Sequence, residues 1–347
     1  MPPPFDPDAA AAPGSGVFGL SSGPAEARVH LLPVPFEGTT SYRRGTARGP
    51  AAIRAASRQV DLLDLVTGEP WAGGIWMAPI DARVAAWNEE ASARARGVIE
   101  RGGAIGDDPV LAADLARVNA IGEELNGWVR EETARALAAE KLVGVVGGDH
   151  SVAFGAFAAH AERFPGLGVL HFDAHADLRV AFEGFTWSHA SILHNARERI
   201  AGLGPILQVG GRDLGEAEAA AIRAAPGRLE AVFDHEWADA RHEGRNLKAV
   251  VRRALSVLPR EVYVTFDVDG LEPALCPNTG TPVPGGLTWG EAMLWLGELV
   301  ATGRRLVGFD LVEVAPGSER PPGEGLDEIV GARLLYRLIG FALRSAG

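Results

Sequence analysis

Cysteine is almost missing from this chain: Cys276 is the single one among 347 residues, which excludes an intrachain disulfide and a thiolate metal cluster and fits a reducing compartment. No stretch reaches the roughly 18 uninterrupted apolar residues that a membrane helix needs. Positive charge is short as well. Thirty-three Lys and Arg against 45 Asp and Glu leave a formal net charge of -12, the wrong sign for a phosphate-backbone partner, which is held by clustered Lys and Arg. The same negative field favours a cationic small molecule. The stretch from Met1 to about Pro24 is rich in Pro, Ala and Gly but lacks a basic start followed by an apolar run, so it reads as an extension, not a secretion signal. Neither an internal repeat nor an internal linker is visible. The expectation is a cytoplasmic protein with a flexible extension over residues 1–28 and one domain over 29–347.

What is present is ordinary globular composition, 47% hydrophobic and 22% charged. Short apolar runs bounded by Gly, Asp or Pro alternate with longer Ala-, Leu- and Glu-rich stretches, the pattern of βαβ units. Strands are predicted over 29–34, 142–146, 168–172, 206–209, 262–266 and 306–309. Runs this uniformly apolar suit parallel strands buried on both faces. Helices are predicted over 50–56, 111–139, 151–164, 215–224, 246–258, 288–301 and 328–344.

The polar residues that follow these runs carry the chemistry. Asp149 and His150 follow 142–146; Asp173, His175 and Asp177 follow 168–172; Asp267 and Asp269 follow 262–266; Glu313 follows 306–309. Ligands of open parallel sheets bind outside the carboxyl ends of the strands, so groups far apart in sequence can meet there. Residues spaced by two on an extended segment face one side, which would bring Asp173, His175 and Asp177 together, and likewise Asp267 and Asp269. Singly, an Asp at a strand end is more often a cap or turn residue, and His150 alone could be a core histidine. Together, four carboxylates crowded in one cleft would repel one another unless cations neutralised them. A donor set rich in oxygen with a minority of imidazole suits Mn²⁺ or a similar divalent ion. Six ligands overfill one catalytic metal, whereas two ions about 3.5–4 Å apart would use them and lower the pKa of a water between them toward neutrality. The reaction class is then hydrolysis.

Gly147-Gly148-Asp149-His150-Ser151, Asp173-Ala174-His175-Ala176-Asp177 and Phe266-Asp267-Val268-Asp269-Gly270-Leu271 resemble, in order and spacing, the three metal-binding signatures of the ureohydrolase superfamily of arginases, agmatinases and formimidoylglutamases. Supporting stretches are Gly38 to Arg54, Gly280 to Gly286 and Leu311 to Pro316. The resemblance implies a three-layer α/β/α domain with a mostly parallel eight-stranded sheet, a binuclear manganese centre, and a homo-oligomer, a trimer or hexamer. It implies that His150, Asp173, Asp177 and Asp269 serve one metal or bridge, with His175 and Asp267 completing the other. It places His189 as the proton-shuttling histidine and Glu313 as the acid that holds a guanidinium through two parallel N–H bonds. Glu272 stands where the family usually has Asp, Thr265 where Ser is usual and Cys276 where Ala is common.

The same resemblance ranks substrates. Arginases use Asn two residues beyond the Asp-x-His-x-Asp signature and another shortly before the shuttle histidine; here Arg179 and the pair Trp187-Ser188 hold those places. Asp177-Leu178-Arg179 and Ser188-His189-Ala190 resemble agmatinases more closely, so agmatine is the expected substrate, converted to putrescine and urea. Guanidino acids remain open because Arg179 could clamp a carboxylate, although an ion pair with Glu183 or another acid is the plainer reading. Formimidoylglutamate, arginine, a non-enzymatic metal-binding homologue and a single-zinc amidohydrolase are the alternatives.

Overall fold

The computed structural model describes residues 5–12, 14–317 and 321–346. Eight strands form one sheet: β1 (Val29–Val34), β2 (Ile75–Met77), β3 (Leu142–Gly147), β4 (Gly168–Phe172), β5 (Ile206–Val209), β6 (Leu229–Val232), β7 (Glu261–Asp267) and β8 (Arg305–Val312). Their spatial order is β2-β1-β3-β8-β7-β4-β5-β6, and every neighbouring pair is parallel. The six expected strands are present. The two that the sequence does not announce, β2 and β6, are the two edges of the sheet.

Ten helices are described: α1 (Gly49–Ala56), α2 (Ala82–Ile99), α3 (Pro109–Ala138), α4 (Phe154–Arg163), α5 (Ile192–Arg199), α6 (Glu216–Ala224), α7 (Asp234–His242), α8 (Leu247–Leu255), α9 (Trp289–Ala301) and α10 (Leu326–Ser345). They divide between the two faces. Side chains of α1, α7, α8, α9 and α10 join one core cluster, and those of α2 through α6 join the other. Strand periodicity sorts residues the same way: Val262, Val264 and Phe266 of β7 enter the first cluster, while Tyr263 between them enters the second. The architecture is the expected α/β/α sandwich, with a sheet that is wholly parallel.

Two expectations need correction. The extension is not free as far as residue 28, because Val17, Phe18 and Leu20 are buried in the first core cluster. The Phe18 ring lies 4.8 Å from that of Tyr336, and its backbone N–H donates to Ser57 Oγ at 2.8 Å. Apolar area withdrawn from water holds this segment down despite its Gly- and Pro-rich surroundings. Helices α2, α5 and α7 also go beyond the expected set; in α2 only Val84, Ala91, Ala95 and Val98 are buried, too thin a stripe among Arg and Glu to announce a face.

Candidate metal centre

Each chemical group follows a central strand. β3 runs through Gly148 and Asp149 into a 3₁₀ turn, His150–Ala153. β4 leads into bends carrying Asp173, His175 and Asp177; β7 ends at Asp267 and continues as a 3₁₀ turn, Val268–Gly270; β8 stops one residue before Glu313. Since β3, β8, β7 and β4 are consecutive in the sheet, their carboxyl ends deliver these groups to one spot. Convergence is therefore as expected, but the extended ladder is not its cause. Asp177 has φ of 54° and Asp269 lies in the 3₁₀ turn, so turns after the strands aim the side chains. Glu313 has φ of 64°; two site carboxylates thus occupy the left-handed region that costs a non-glycine residue about 1–3 kcal/mol.

The side chains form two overlapping groups that share Asp173. His150 Nδ1 lies 3.1 Å from Asp173 Oδ2, 3.0 Å from Asp177 Oδ2 and 3.6 Å from Asp267 Oδ2. His175 Nδ1 lies 3.3 Å from Asp173 Oδ1 and 3.2 Å from Asp269 Oδ2. The expected division is thereby altered: Asp267 belongs beside His150, and Asp269 beside His175. His171 joins the first group through a 2.9 Å contact of Nε2 with Asp173 Oδ2. Sequence reasoning misses it, although it precedes Asp173 by two residues on a fully buried strand.

Asp173, Asp177, Asp267 and Asp269 are all buried, and among the described residues no Lys or Arg pairs with any of them. Burial, reinforced by the charge of Asp173, pushes Asp177 up to about 7. Burial and then the charges of Asp269 and Asp173 hold Asp267 well above the usual carboxylate range. The imidazoles move to compensate. Burial opposes a charged His175 ring, but hydrogen bonds to Asp173 and Asp269 outweigh it and push the group up to about 12. His150 is likewise raised, by Asp173 and Asp177 against burial. Protons on histidines here offset carboxylate charge that divalent cations would offset better, and oxygen atoms with two imidazoles are their donor set. The residues fit two such ions.

The centre floors a cleft of about 200 Å³, whose lining includes Ser41, Arg179, Phe182, His189, Asp213, Glu218 and Glu313. Glu313 Oε1 accepts the His150 backbone N–H at 3.0 Å; burial, then Asp149 and Asp269, raise its pKa well above the usual value. A bound cation would hold it ionised. His189 opens a short 3₁₀ turn, with its ring edge-on to Phe182 at 6.1 Å. Burial, then the positive charge of His175 and His150, lowers it to about 4. Arg179 lies over the Phe182 ring at 5.1 Å, with Nε 3.7 Å from Glu218 Oε2, so its pairing acid is Glu218, not Glu183. Thr281 Oγ1 donates to Asp269 Oδ2 at 3.2 Å, a support that the sequence does not announce.

Comparison with known proteins agrees with this geometry. Residues 27–340 match the arginase family. The chain is 34% identical to an N(1)-aminopropylagmatine ureohydrolase of Thermus thermophilus, over 95% of this chain and 96% of that one. It is 31% identical to the agmatinase of Proteus mirabilis, over 83% and 79%. Proclavaminate amidino hydrolase from Streptomyces clavuligerus shares the fold with a TM-score of 0.71 at 22% identity, over 97% of this chain and all of that one.

Proposed function

The chain belongs to the arginase family, and on that premise we propose that it hydrolyses the guanidino group of a cationic amine, with agmatine taken best, to urea and the free diamine. The observation that carries this reading is the sign of the cleft. Beyond the carboxylates assigned to the cations, Asp213, Glu218 and Glu313 line it, and Arg179, the one arginine in its described lining, already faces Glu218. A guanidino amine carries positive charge at both ends and meets Glu313 and Asp213, whereas the carboxylate of arginine or of a guanidino acid would have to draw Arg179 from Glu218.

Glu313 is the group to orient the guanidinium. Its buried carboxylate can accept two parallel N–H bonds from the planar fork, and the substrate's charge compensates the repulsion it suffers from Asp149 and Asp269. His150, Asp173, Asp177, Asp267, His175 and Asp269 would hold two divalent cations, Mn²⁺ by the donor set, whose contribution is to lower the pKa of a water toward neutrality. Water adds to the guanidinium carbon, the substituted nitrogen takes one of the water's protons, the bond from that carbon to it breaks, and the amine released takes up the second proton to become an ammonium. The water oxygen ends in urea. His189 is neutral at pH 7, so it takes up a proton in the cleft before returning one to the departing amine.

A longer amine is the second reading, favoured by the Thermus thermophilus relative, whose name gives N(1)-aminopropylagmatine as its substrate. Urea release by manganese-loaded protein should be measured with agmatine, N(1)-aminopropylagmatine, arginine, guanidinobutyrate and guanidinopropionate, and release of formamide and ammonia with formimidoylglutamate. The highest kcat/KM is expected with agmatine. A higher value for aminopropylagmatine would extend the tail, and one for arginine or an acidic substrate would overturn the cationic-amine reading.

A further inference from the structure

Asp310 is a fully buried carboxylate in β8, a central strand, and among the described residues it forms no ion pair. Burying such a group is costly unless hydrogen bonds compensate for the lost water. Its Oδ1 accepts the Thr265 hydroxyl at 2.8 Å and the Phe266 backbone N–H at 3.3 Å. Thr265 Oγ1 in turn lies 2.8 Å from His150 Nε2. A threonine hydroxyl has one proton. With that proton directed to Asp310, Thr265 can only accept from His150, and Nε2 must be the protonated nitrogen. Nδ1, facing Asp173, Asp177 and Asp267, is then the nitrogen whose proton a cation displaces and whose lone pair it takes.

We propose that Asp310 and Thr265 are positioning residues for the metal centre, a carboxylate–hydroxyl–imidazole relay that sets the tautomer of His150 from inside the sheet. The geometry supports a fixed direction of transfer. Thr265 pairs directly with Asp310 across the β7–β8 ladder, and both side chains are wholly buried, so water cannot substitute for either bond. Without Asp310, the Thr265 hydroxyl is free to turn and donate to Nε2, which favours the tautomer with its proton on Nδ1. Partners of this kind typically contribute about 10–100-fold in metal affinity. This inference rests on His150 being a ligand, the reading made above.

The test is a Mn²⁺ titration followed by electron paramagnetic resonance, which counts ions and gives their dissociation constants without reference to turnover. Thr265→Val keeps shape and removes the hydroxyl; Asp310→Ala removes the acceptor; Thr265→Ser and Asp310→Asn keep the oxygens. About a 10–100-fold loss in at least one binding step is expected for Thr265→Val and Asp310→Ala, with near-wild-type binding in the two conservative variants. Wild-type affinity in Thr265→Val, or equal loss in Thr265→Ser and Thr265→Val, overturns the relay alone. Wild-type protein that bound no manganese would overturn the relay and the metal reading together. Should Thr265→Val not fold, Asp310→Asn against Asp310→Ala decides on the same readout.

Discussion

At the scale of single residues, the side chain with the sharpest expectation is His189. Its pKa, lowered to about 4 chiefly by burial, makes it a poor donor until it has first accepted a proton. Its contribution should therefore be that of a positioned acid–base group, about 10²–10⁴-fold in rate. Replacing His189 by Ala is expected to lower kcat by that range while the manganese content of reconstituted protein stays at the wild-type level; kcat and metal content measured on one preparation check this. Loss of an ion would make His189 a ligand, and an unchanged kcat would make it a wall of the cleft. Five of the six candidate metal ligands are readable in sequence because their alternation with Ala and Val at strand ends has few other uses, and His150 is readable as part of Gly147-Gly148-Asp149-His150-Ser151. His171, Thr265 and Asp310 are not, because each sits inside an apolar strand where a polar side chain is interpretable only once its partner across the ladder is known.

At the scale of elements, the β3 loop shows how tightly the backbone around the centre is drawn. Gly148 N–H donates to Val34 O at 2.9 Å, its carbonyl accepts from Glu313 N–H at 2.8 Å, and a Cβ built on it would stand 1.9 Å from Phe36 O. Backbone meets backbone there, so nothing flexible can yield. Gly148→Ala should destabilise the fold by about 1–3 kcal/mol, and because His150 lies two residues on, it should also weaken manganese binding. Gly127→Ala on α3 is the control, since a Cβ there meets nothing within 4 Å; it should be neutral or stabilise by up to about 1 kcal/mol. Thermal midpoints of the two variants check the pair, and equal midpoints would refute the close-approach argument. Edge strands β2 and β6, of three and four residues, escape sequence reading because each has only one neighbour and a half-buried pattern.

At the scale of the molecule, acid should act on stability through a histidine remote from the catalytic cleft. His160 on α4 is fully buried, its ring nitrogen Nδ1 2.8 Å from Ala156 O and Nε2 facing Gly308; burial lowers its pKa from 6.5 to about 4. The unfolded chain therefore binds the extra proton first. This contribution is fully present above pH 6.5 and is lost as pH falls from 6.5 toward 4, up to about 3 kcal/mol. Thermal midpoints of wild type and His160→Gln measured across that window should converge as pH falls; parallel curves would show that His160 does not govern the acid limb. Among the described residues no helix is long and apolar enough to cross a membrane, in keeping with the composition.

By itself the sequence determined the α/β class, the six inner strands, the family and all but His171 of the candidate metal-binding side chains, because these follow from local periodicity and from residue types whose chemistry is narrow. Tertiary structure alone decided how they combine. Strand order set which four carboxyl ends are neighbours, the turns after β4 and β7 assigned Asp267 to His150 and Asp269 to His175, and packing against α10 anchored Phe18 in what composition presents as a loose extension. Those outcomes depend on contacts between residues distant along the chain, and no local pattern encodes a contact whose partner lies a hundred residues away.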